Sequence, residues 1–274
     1  MSRAADLHLH TNYSDSTLTP LDVIEQSAKY GISCIAITDH DTVEGIYPTL
    51  EAAKPHQIEV VAGVELSSEI NGREVHILGY FIDYHNKRLL EQFLCMQDTR
   101  VGRMKKMIDK LKEFGINNVE LSEVCALAQT DSVGRPHLAT ILYEKGWVKS
   151  VRAAFDLYIS DEGPAYVEKF KQTPEEAIEL IRQAGGVAVL AHPMLSGIDE
   201  RIPQFVEAGL GGIEAYYPNV PKQGMEFYVN LAKKYNLAVT GGSDAHGEAK
   251  DNTWIGKLTI PYELVEDLKK RTGR

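Results

Sequence analysis

The chain has 274 residues, of which 43% are hydrophobic and 25% charged, and its formal net charge is −10 at pH 7. This composition is ordinary for a soluble globular protein, and the acidic balance disfavours a surface that coats long nucleic acids. Without an apolar run of membrane length, an apolar signal core or paired cysteines, the sequence predicts a cytoplasmic protein with no disulfide framework.

Strand and helix signals alternate over the first hundred residues. A helix is predicted to begin after Thr19, which can cap it, with Pro20 in its first turn and Gly31 at its end. Asn71-Gly72 predicts a tight turn between two strands. The predicted strands of this part are Ala4–His10, Cys34–Thr38, Glu59–Leu66 and Val75–Ile82.

The same alternation returns after residue 172. Thr173 and Glu176 are spaced as a capping box at the start of a helix, which Gly185-Gly186 would end. The strands predicted here are Val187–Ala191, Ile213–Tyr217 and Leu237–Thr240. Strands that alternate with helices predict a parallel α/β sheet, either open or closed into a barrel.

The middle of the chain lacks strand signals. Apolar residues recur there at helical spacing, at Val101, Met104, Ile108 and Leu111. The segment Arg152–Ser160 also has a helical pattern. We therefore predict an inserted helical domain over residues 96–168, between two parts of the α/β core at 1–95 and 169–274.

Imidazoles and carboxylates gather around the ends of the predicted strands. His8 and His10 are two residues apart, so both would point to the same face of a strand. Most of the others follow the carboxyl end of a strand, where α/β proteins place their active sites, although His76 lies near the beginning of its strand. The candidate ligands are His8, His10, Asp15, His40, Glu65, His76, His192, Asp244 and His246. Such a set is too large for one ion and suits two or three divalent ions.

The order of these motifs resembles that of the polymerase and histidinol phosphatase (PHP) superfamily. The motifs are Asp-Leu-His-x-His with Ser14-Asp15, Thr-Asp-His-Asp, Gly-Val-Glu, His76, Ala-His-Pro and Ser-Asp-Ala-His. The resemblance spans the chain apart from its helical middle. It implies an α/β fold, a distorted (β/α)7 TIM-like barrel with a small inserted helical domain, and a trinuclear metal site. The ligand sets that it implies are His8, His10, Glu65 and Asp244; Asp15, His40 and His246; and Glu65, His76 and His192.

Within the superfamily, the chain is similar to stand-alone phosphoesterases that carry a helical insertion. The motif Gly134-Arg135-Pro136-His137-Leu138 is part of this likeness. It implies a phosphoric monoester hydrolase that converts 3′,5′-nucleoside bisphosphates to nucleoside monophosphate and phosphate, using a metal-activated water and no protein nucleophile. Arg135 and His137 would bind a substrate phosphate from a loop over the barrel mouth. The alternative is that Arg135 is an ordinary surface residue and that His137 packs on Pro136.

Cofactor, partner and activity remain open in part. We expect two or three divalent ions, with Mn²⁺ as the first expectation and Zn²⁺, Fe²⁺ or Mg²⁺ as alternatives. The expected partner is a small nucleotide or a short oligonucleotide, without a membrane or a stable complex with long nucleic acid. Other activities that fit are a 5′–3′ exoribonuclease on short RNA, a histidinol-phosphate-type phosphatase and an amidohydrolase-like C–N hydrolase. A metal-bound regulatory module is a further alternative, which the full ligand set disfavours.

Several residues near the motifs have two readings. Asp39 and Asp41 flank His40 and could orient an imidazole or simply form a turn. Tyr216 and Tyr217 could line the substrate pocket or pack in the core. Cys34 is predicted to be buried, and two histidines outside the motifs are predicted to lie at the surface, His56 and His85.

Overall fold

The computed structural model of the protein describes residues 3–128, 133–167, 172–250 and 253–273, without the side chains of residues 97 and 98. It divides into a barrel unit, Met1–Leu90 and Lys171–Arg274, and a helical unit, Glu91–Phe170. The predicted domain boundary after residue 95 falls inside a continuous helix, Lys87–Lys112. The predicted boundary after residue 168 lies outside the described residues.

Eight strands form one sheet in the order β7-β6-β5-β4-β3-β2-β1-β8. Seven of them follow the predicted strands closely, which confirms the α/β alternation. The eighth was not predicted and pairs with β1. The strands are β1 Ala4–Leu9, β2 Ile32–Ile37, β3 Glu59–Ile70, β4 Arg73–Tyr80, β5 Val187–Leu190, β6 Gly212–Tyr216, β7 Ala238–Gly241 and β8 Ile260–Pro261.

One core strand departs from the parallel sheet predicted from the sequence. β4 runs antiparallel to both of its neighbours, whereas β1, β2 and β3 are parallel and so are β5, β6 and β7. The reason is the predicted turn, in which Asn71 and Gly72 have φ values of 52° and 79°. A two-residue turn of this kind reverses the chain and leaves no room for the crossover that a parallel strand needs.

Backbone hydrogen bonds join the first strand to the segment that follows the last core strand. The amide of Asp244 donates to the carbonyl of His8 at 2.9 Å, and the amide of His10 donates to the carbonyl of Ala245 at 3.2 Å. We call this pairing the seam. It closes β1–β7 into the expected distorted seven-stranded barrel, with β8 as a short addition beside β1.

The predicted cap at Thr19 and the predicted capping box at Thr173 begin helices of the barrel unit, and Thr19 also forms a capping box, with Asp22. Thr19 Oγ1 accepts from the amide of Asp22 at 3.2 Å, and Thr173 Oγ1 accepts from the amide of Glu176 at 3.2 Å. Cys34 is buried in the barrel core, as predicted. The helices with residues in this unit are α1 Pro20–Lys29, α2 Ile46–Ala53, the start of α3 Lys87–Lys112, α7 Pro174–Gln183, α8 Pro193–Ser196, α9 Ile202–Ala208, α10 Lys222–Lys234 and α11 Tyr262–Lys270.

The helical unit has a hydrophobic core of its own, which includes Met107, Leu138 and Leu142. It contains the rest of α3 together with α4 Leu121–Ala128, α5 Arg135–Glu144, α6 Val151–Ala154 and a π-helical turn, Phe155–Ile159. The two helical segments predicted here are therefore confirmed. The loop expected around Arg135 is wrong, because extended Gly134 and Pro136 at the start of α5 place that segment in a first helical turn.

Candidate metal centre

The nine predicted ligands come from the barrel unit. They lie together at the end of the barrel where the parallel strands have their carboxyl ends. β1, β3 and β4 supply one side chain each, and the segments after β1, β2, β5 and β7 supply the rest. Every one contacts another member of the set. The side chains brought together are His8, His10, Asp15, His40, Glu65, His76, His192, Asp244 and His246.

Glu65 is the centre of this cluster, and its carboxylate is buried. Each of its oxygens faces more than one imidazole. Oε1 lies 2.8 Å from His76 Nδ1 and 3.0 Å from His192 Nε2. Oε2 lies 3.1, 3.2 and 3.4 Å from the Nε2 atoms of His8, His10 and His40. One carboxylate is therefore placed to be shared between neighbouring cations.

Three groups of possible ligand atoms, each mutually within 4.8 Å, occur among the described residues. They are His8, His10, Glu65 and Asp244; His10, Asp15, His40 and His246; and His40, Glu65 and His76. The first two contain two of the ligand sets implied by the resemblance. The third includes His40 where His192 was expected, although His192 contacts the same Glu65 carboxylate.

The chemistry of these residues fits divalent cations. Several imidazole nitrogens are buried and make no hydrogen bond of ordinary geometry, even where a carboxylate lies near, namely both nitrogens of His10, Nδ1 of His40, Nε2 of His76 and Nδ1 of His192. Buried polar atoms are rarely left without a partner, because their desolvation is costly. A cation among imidazoles and carboxylates would satisfy several of these nitrogens, as in the sites that hold Zn²⁺, Mn²⁺ or Fe²⁺.

Protonated imidazoles balance the carboxylates when no cation does. Burial alone would lower the pKa of His10, but Asp244 and Glu65 raise it to about 9. In the same way, burial opposes protonation of His76, yet Glu65 and Glu74 raise its pKa to about 10. Burial lowers the pKa of His40 to about 4. Binding of a metal ion must therefore displace protons from some ligands and not from others.

Asp39 and Asp41 organise backbone around the cluster. The carboxylate of Asp39 accepts hydrogen bonds at 2.7 Å from the amide and hydroxyl of Thr11 and from the hydroxyl of Ser14. It therefore fixes the loop that carries Asp15. Asp41 has a positive φ of 51° and accepts from the amide of Ser67 at 2.8 Å, which ties the turn after β2 to β3.

Three contacts behind and beside the ligands were missed by the sequence analysis. Glu214 in β6 lies 2.9 Å from His8 Nδ1, and Asp6 accepts from the amide of Ser243 at 2.9 Å. Lys250 Nζ pairs with Asp244 Oδ2, while Oδ1 of the same carboxylate faces the imidazoles. For Glu214 and Asp6, the signal available in the sequence was an acidic residue within a short apolar strand.

The tyrosines and remaining histidines have structural roles or lie at the surface. Tyr217 is buried, its hydroxyl accepts from the amide of Met194 at 3.2 Å, and its ring lies 6.4 Å from that of His192. Tyr216 packs against the barrel core. His56 and His85 are exposed, as predicted.

The helical unit holds the two predicted phosphate-binding residues. Arg135 Nη1 donates to Asp161 Oδ1 at 2.6 Å and to the carbonyl of Ile159 at 3.1 Å. His137 Nδ1 accepts from the amide of Gly134 at 3.0 Å, and burial lowers the pKa of His137. The guanidinium of Arg103 lies near the same ring as that of Arg135. Each is 5.4 Å from the centre of the Tyr166 ring.

A barrel with imidazoles and carboxylates converging at the carboxyl ends of its strands defines a metal-dependent hydrolase. The PHP domain family matches residues 6–247, and the chain belongs to this family. The expected resemblance and the expected barrel fold are therefore confirmed, and the protein is a metal-dependent phosphoesterase. None of the helices that the structure describes is long and apolar enough to cross a membrane.

Relatives with known names have different activities. The chain is 32% identical to a 5′-3′ exoribonuclease of Haemophilus influenzae, with 90% of this chain and 91% of the relative covered. It is 31% identical to a 3′,5′-nucleoside bisphosphate phosphatase of Chromobacterium violaceum, with 92% and 90% covered. A structure from Bifidobacterium adolescentis, described as a metal-dependent phosphoesterase, superposes with a TM-score of 0.83 at 29% identity, over 100% of this chain and 99% of the other.

Proposed function

We propose that this phosphoesterase hydrolyses one phosphate from 3′,5′-nucleoside bisphosphates, which yields a nucleoside monophosphate and phosphate. The observation that carries the proposal is the pair of guanidiniums in the helical unit, Arg103 and Arg135 around Tyr166. A substrate with two phosphates has one that a metal centre can hydrolyse and a second anion of the kind that guanidinium groups bind. The similarity to the bisphosphate phosphatase of C. violaceum supports the same substrate.

The surroundings of the two guanidiniums favour an anion with more than one charge. Burial lowers the pKa of Arg103, and the nearby charge of Arg135 lowers it further. Two like charges at close range are unfavourable unless an anion compensates both. Asp161 compensates in part, but its side chain is 74% exposed, so a phosphate can replace it. Guanidinium geometry matches phosphate oxygens in two places at once.

At the metal centre we propose that the nine ligands hold two or three divalent ions, with Mn²⁺ as the first expectation. Such ions activate a water nucleophile and neutralise charge on the phosphate. The protein holds the ligands in place beforehand, because the side chains of His8, His10 and Glu65 are buried and in mutual contact. Asp15, whose side chain is 52% exposed, marks the side from which a phosphate can approach.

The test compares kcat/KM for adenosine 3′,5′-bisphosphate and AMP with the manganese-loaded enzyme. We expect the bisphosphate to be the better substrate, because contacts with the remote phosphate orient the reacting one. Arg135→Ala should lower the preference by roughly 10- to 100-fold, the equivalent of one charge-assisted contact. The matched control is Arg152→Ala, an exposed arginine of the same unit that pairs with Asp156. An unchanged preference in Arg135→Ala, with unchanged metal content, contradicts the assigned role.

Exoribonuclease activity on short RNA is the second candidate. It is favoured by the equally similar relative from H. influenzae. The same enzyme preparation should be given a 5′-phosphorylated RNA of a few nucleotides and the bisphosphate at equal concentrations. Release of mononucleotides from the RNA at a higher kcat/KM than phosphate release from the bisphosphate would select the exoribonuclease.

A further inference from the structure

We infer that Glu214 is a positioning residue that sets the metal-binding geometry of two imidazoles at once, those of His8 and His192. Its carboxylate, fully buried on β6, faces a side chain of β1 with one oxygen and the backbone after β5 with the other. The inference rests on the proposed roles of His8 and His192 as ligands. It does not depend on which phosphate ester is the substrate.

The first oxygen determines which nitrogen of His8 faces the cluster. Glu214 Oε1 lies 2.9 Å from His8 Nδ1, and both side chains are fully buried, so no water can take the place of this contact. A carboxylate can only accept a hydrogen bond, so Nδ1 must carry the hydrogen. Nε2 of the same ring lies 3.1 Å from Glu65 and 3.5 Å from Asp244, and it is then the nitrogen that would coordinate a cation bound among these side chains.

The second oxygen stabilises an unusual backbone at His192. This residue has a φ of 25° and a ψ of 58°, in a region that non-glycine residues rarely occupy. The amide of His192 donates to Glu214 Oε2 at 2.8 Å, which holds the backbone in this conformation. The conformation directs Nε2 of His192 to within 3.0 Å of Glu65 Oε1. Glu214 thus contributes to the position of a second imidazole.

Replacing this carboxylate by an amide should change the tautomer of one histidine. In Glu214→Gln the amide oxygen can still accept from the amide of His192, since a backbone donor has no alternative. The NH2 group then faces His8 Nδ1, which must accept, so the hydrogen moves to Nε2. A protonated Nε2 has no lone pair for a metal ion. The variant should therefore lose a ligand although its shape is almost unchanged.

The experiment uses zinc-loaded full-length protein labelled with ¹⁵N-histidine. In the wild type we expect the His8 ring to show a protonated Nδ1 and a metal-bound Nε2. Glu214→Gln should show a protonated Nε2, and chelator competition should show a metal affinity roughly 10- to 100-fold weaker, the usual effect of losing an outer partner of a ligand. The matched control is Tyr80→Phe, which removes another buried hydrogen bond, to the carbonyl of Leu7, without touching an imidazole.

Two results would overturn the inference. One is a wild-type spectrum in which His8 carries its hydrogen on Nε2, a measurement that does not require the variant to fold. The other is a folded Glu214→Gln protein whose zinc stoichiometry and affinity stay within twofold of the wild type.

A double substitution with His8→Ala separates positioning from general destabilisation. For the affinity of the ion bound by His8, Glu214→Gln should add far less to His8→Ala than to the wild type.

Discussion

At the scale of single residues, the proposed metal centre is arranged around one carboxylate. Glu65 contacts five imidazoles, whereas His76 contacts Glu65 and the more exposed Glu74. Glu65→Ala should therefore cost more bound metal and more activity than His76→Ala, because each lost ion removes several kcal/mol of stabilisation of the transition state. Elemental analysis of both variants after identical dialysis checks this, and equal, small losses would contradict the shared role.

A glycine beside the ligands has a steric role that can be tested separately. A Cβ atom on Gly242 would lie 2.3 Å from the amide nitrogen of His8 and 2.4 Å from its Cβ. Gly242→Ala should therefore force the seam apart and lower the free energy of unfolding by about 2 kcal/mol or more, as overpacking does. Thermal unfolding measures the effect.

The control for this glycine is Gly102→Ala in the interior of α3. A Cβ atom there meets no heavy atom within 4 Å, and the substitution should stabilise the helix by up to about 1 kcal/mol. Equal changes in melting temperature for the two variants would show that Gly242 has no special constraint.

Most of the nine candidate ligands could be found from the sequence because they belong to short motifs with a histidine or an acid near the carboxyl end of a predicted strand, and His76 is the exception, near the beginning of its strand. Glu214 could not be found in this way. It lies within a five-residue strand, and its two partners are 206 and 22 residues away along the chain. The local pattern shows only that an acid interrupts an apolar strand, and the fold alone shows what that acid contacts.

At the scale of elements, strong local signals were enough for some boundaries. The cap Thr19 with Pro20 marked the start of α1, a capping box marked the start of α7, and the Asn71-Gly72 turn marked the β3–β4 hairpin. β8 and α8 escaped prediction because elements of two and four residues are too short to show a periodicity. The antiparallel direction of β4 could have been deduced from the same turn, since a two-residue connection joins antiparallel strands.

An ionic cluster joins the start of β3 to α11. Glu59 accepts from Lys269 Nζ and the Tyr262 hydroxyl, both at 2.5 Å, and from Arg3 Nη2 at 3.1 Å. Burial alone would raise the pKa of Glu59, but Lys269, Tyr262 and Arg3 hold it below its ordinary value of 4.5. A lowered pKa in the folded state stabilises the fold above that ordinary value, and the stabilisation is lost as the pH falls through the folded value.

We therefore expect Glu59→Gln to cost about 1 kcal/mol of unfolding free energy at pH 7, a modest value because the cluster is partly exposed. The difference from the wild type should shrink as the pH falls below 4.5. Urea titrations across this pH range measure it. Glu51→Gln, which breaks the exposed pair with Lys54, serves as the control and should cost less at every pH. A deficit that does not change with pH would rule out the ionised cluster as its source.

At the scale of the whole molecule, the chain has two hydrophobic cores that can be perturbed one at a time. Leu142 is fully buried in the helical unit, and Leu78 is fully buried in the barrel unit. Either leucine-to-alanine substitution should cost about 2–5 kcal/mol in its own core. We expect Leu142→Ala to leave zinc affinity unchanged and Leu78→Ala to weaken it, as measured by chelator competition alongside hydrogen exchange. Loss of zinc affinity in both variants would contradict this separation.

The order of the elements predicted an α/β sheet, open or closed, and a helical insertion. It could not show the seam, because the paired residues His8 and Asp244 are at opposite ends of the chain. Pairing at such long range leaves no local periodicity, and only the resemblance to a known family indicated that the sheet closes.

The seam has a consequence for the whole chain, because candidate ligands lie on both of its sides. His8 belongs to the first strand and His10 directly follows it, while Asp244 and His246 follow the last core strand. A cation bound by these four side chains would cross-link the two ends of the polypeptide. At a free concentration a thousandfold above its dissociation constant, it would add about 4 kcal/mol to the stability of the closed barrel. Removal of the metal would then lower the stability of the closed barrel as well as the activity, and it would leave β7 as the edge of an open sheet.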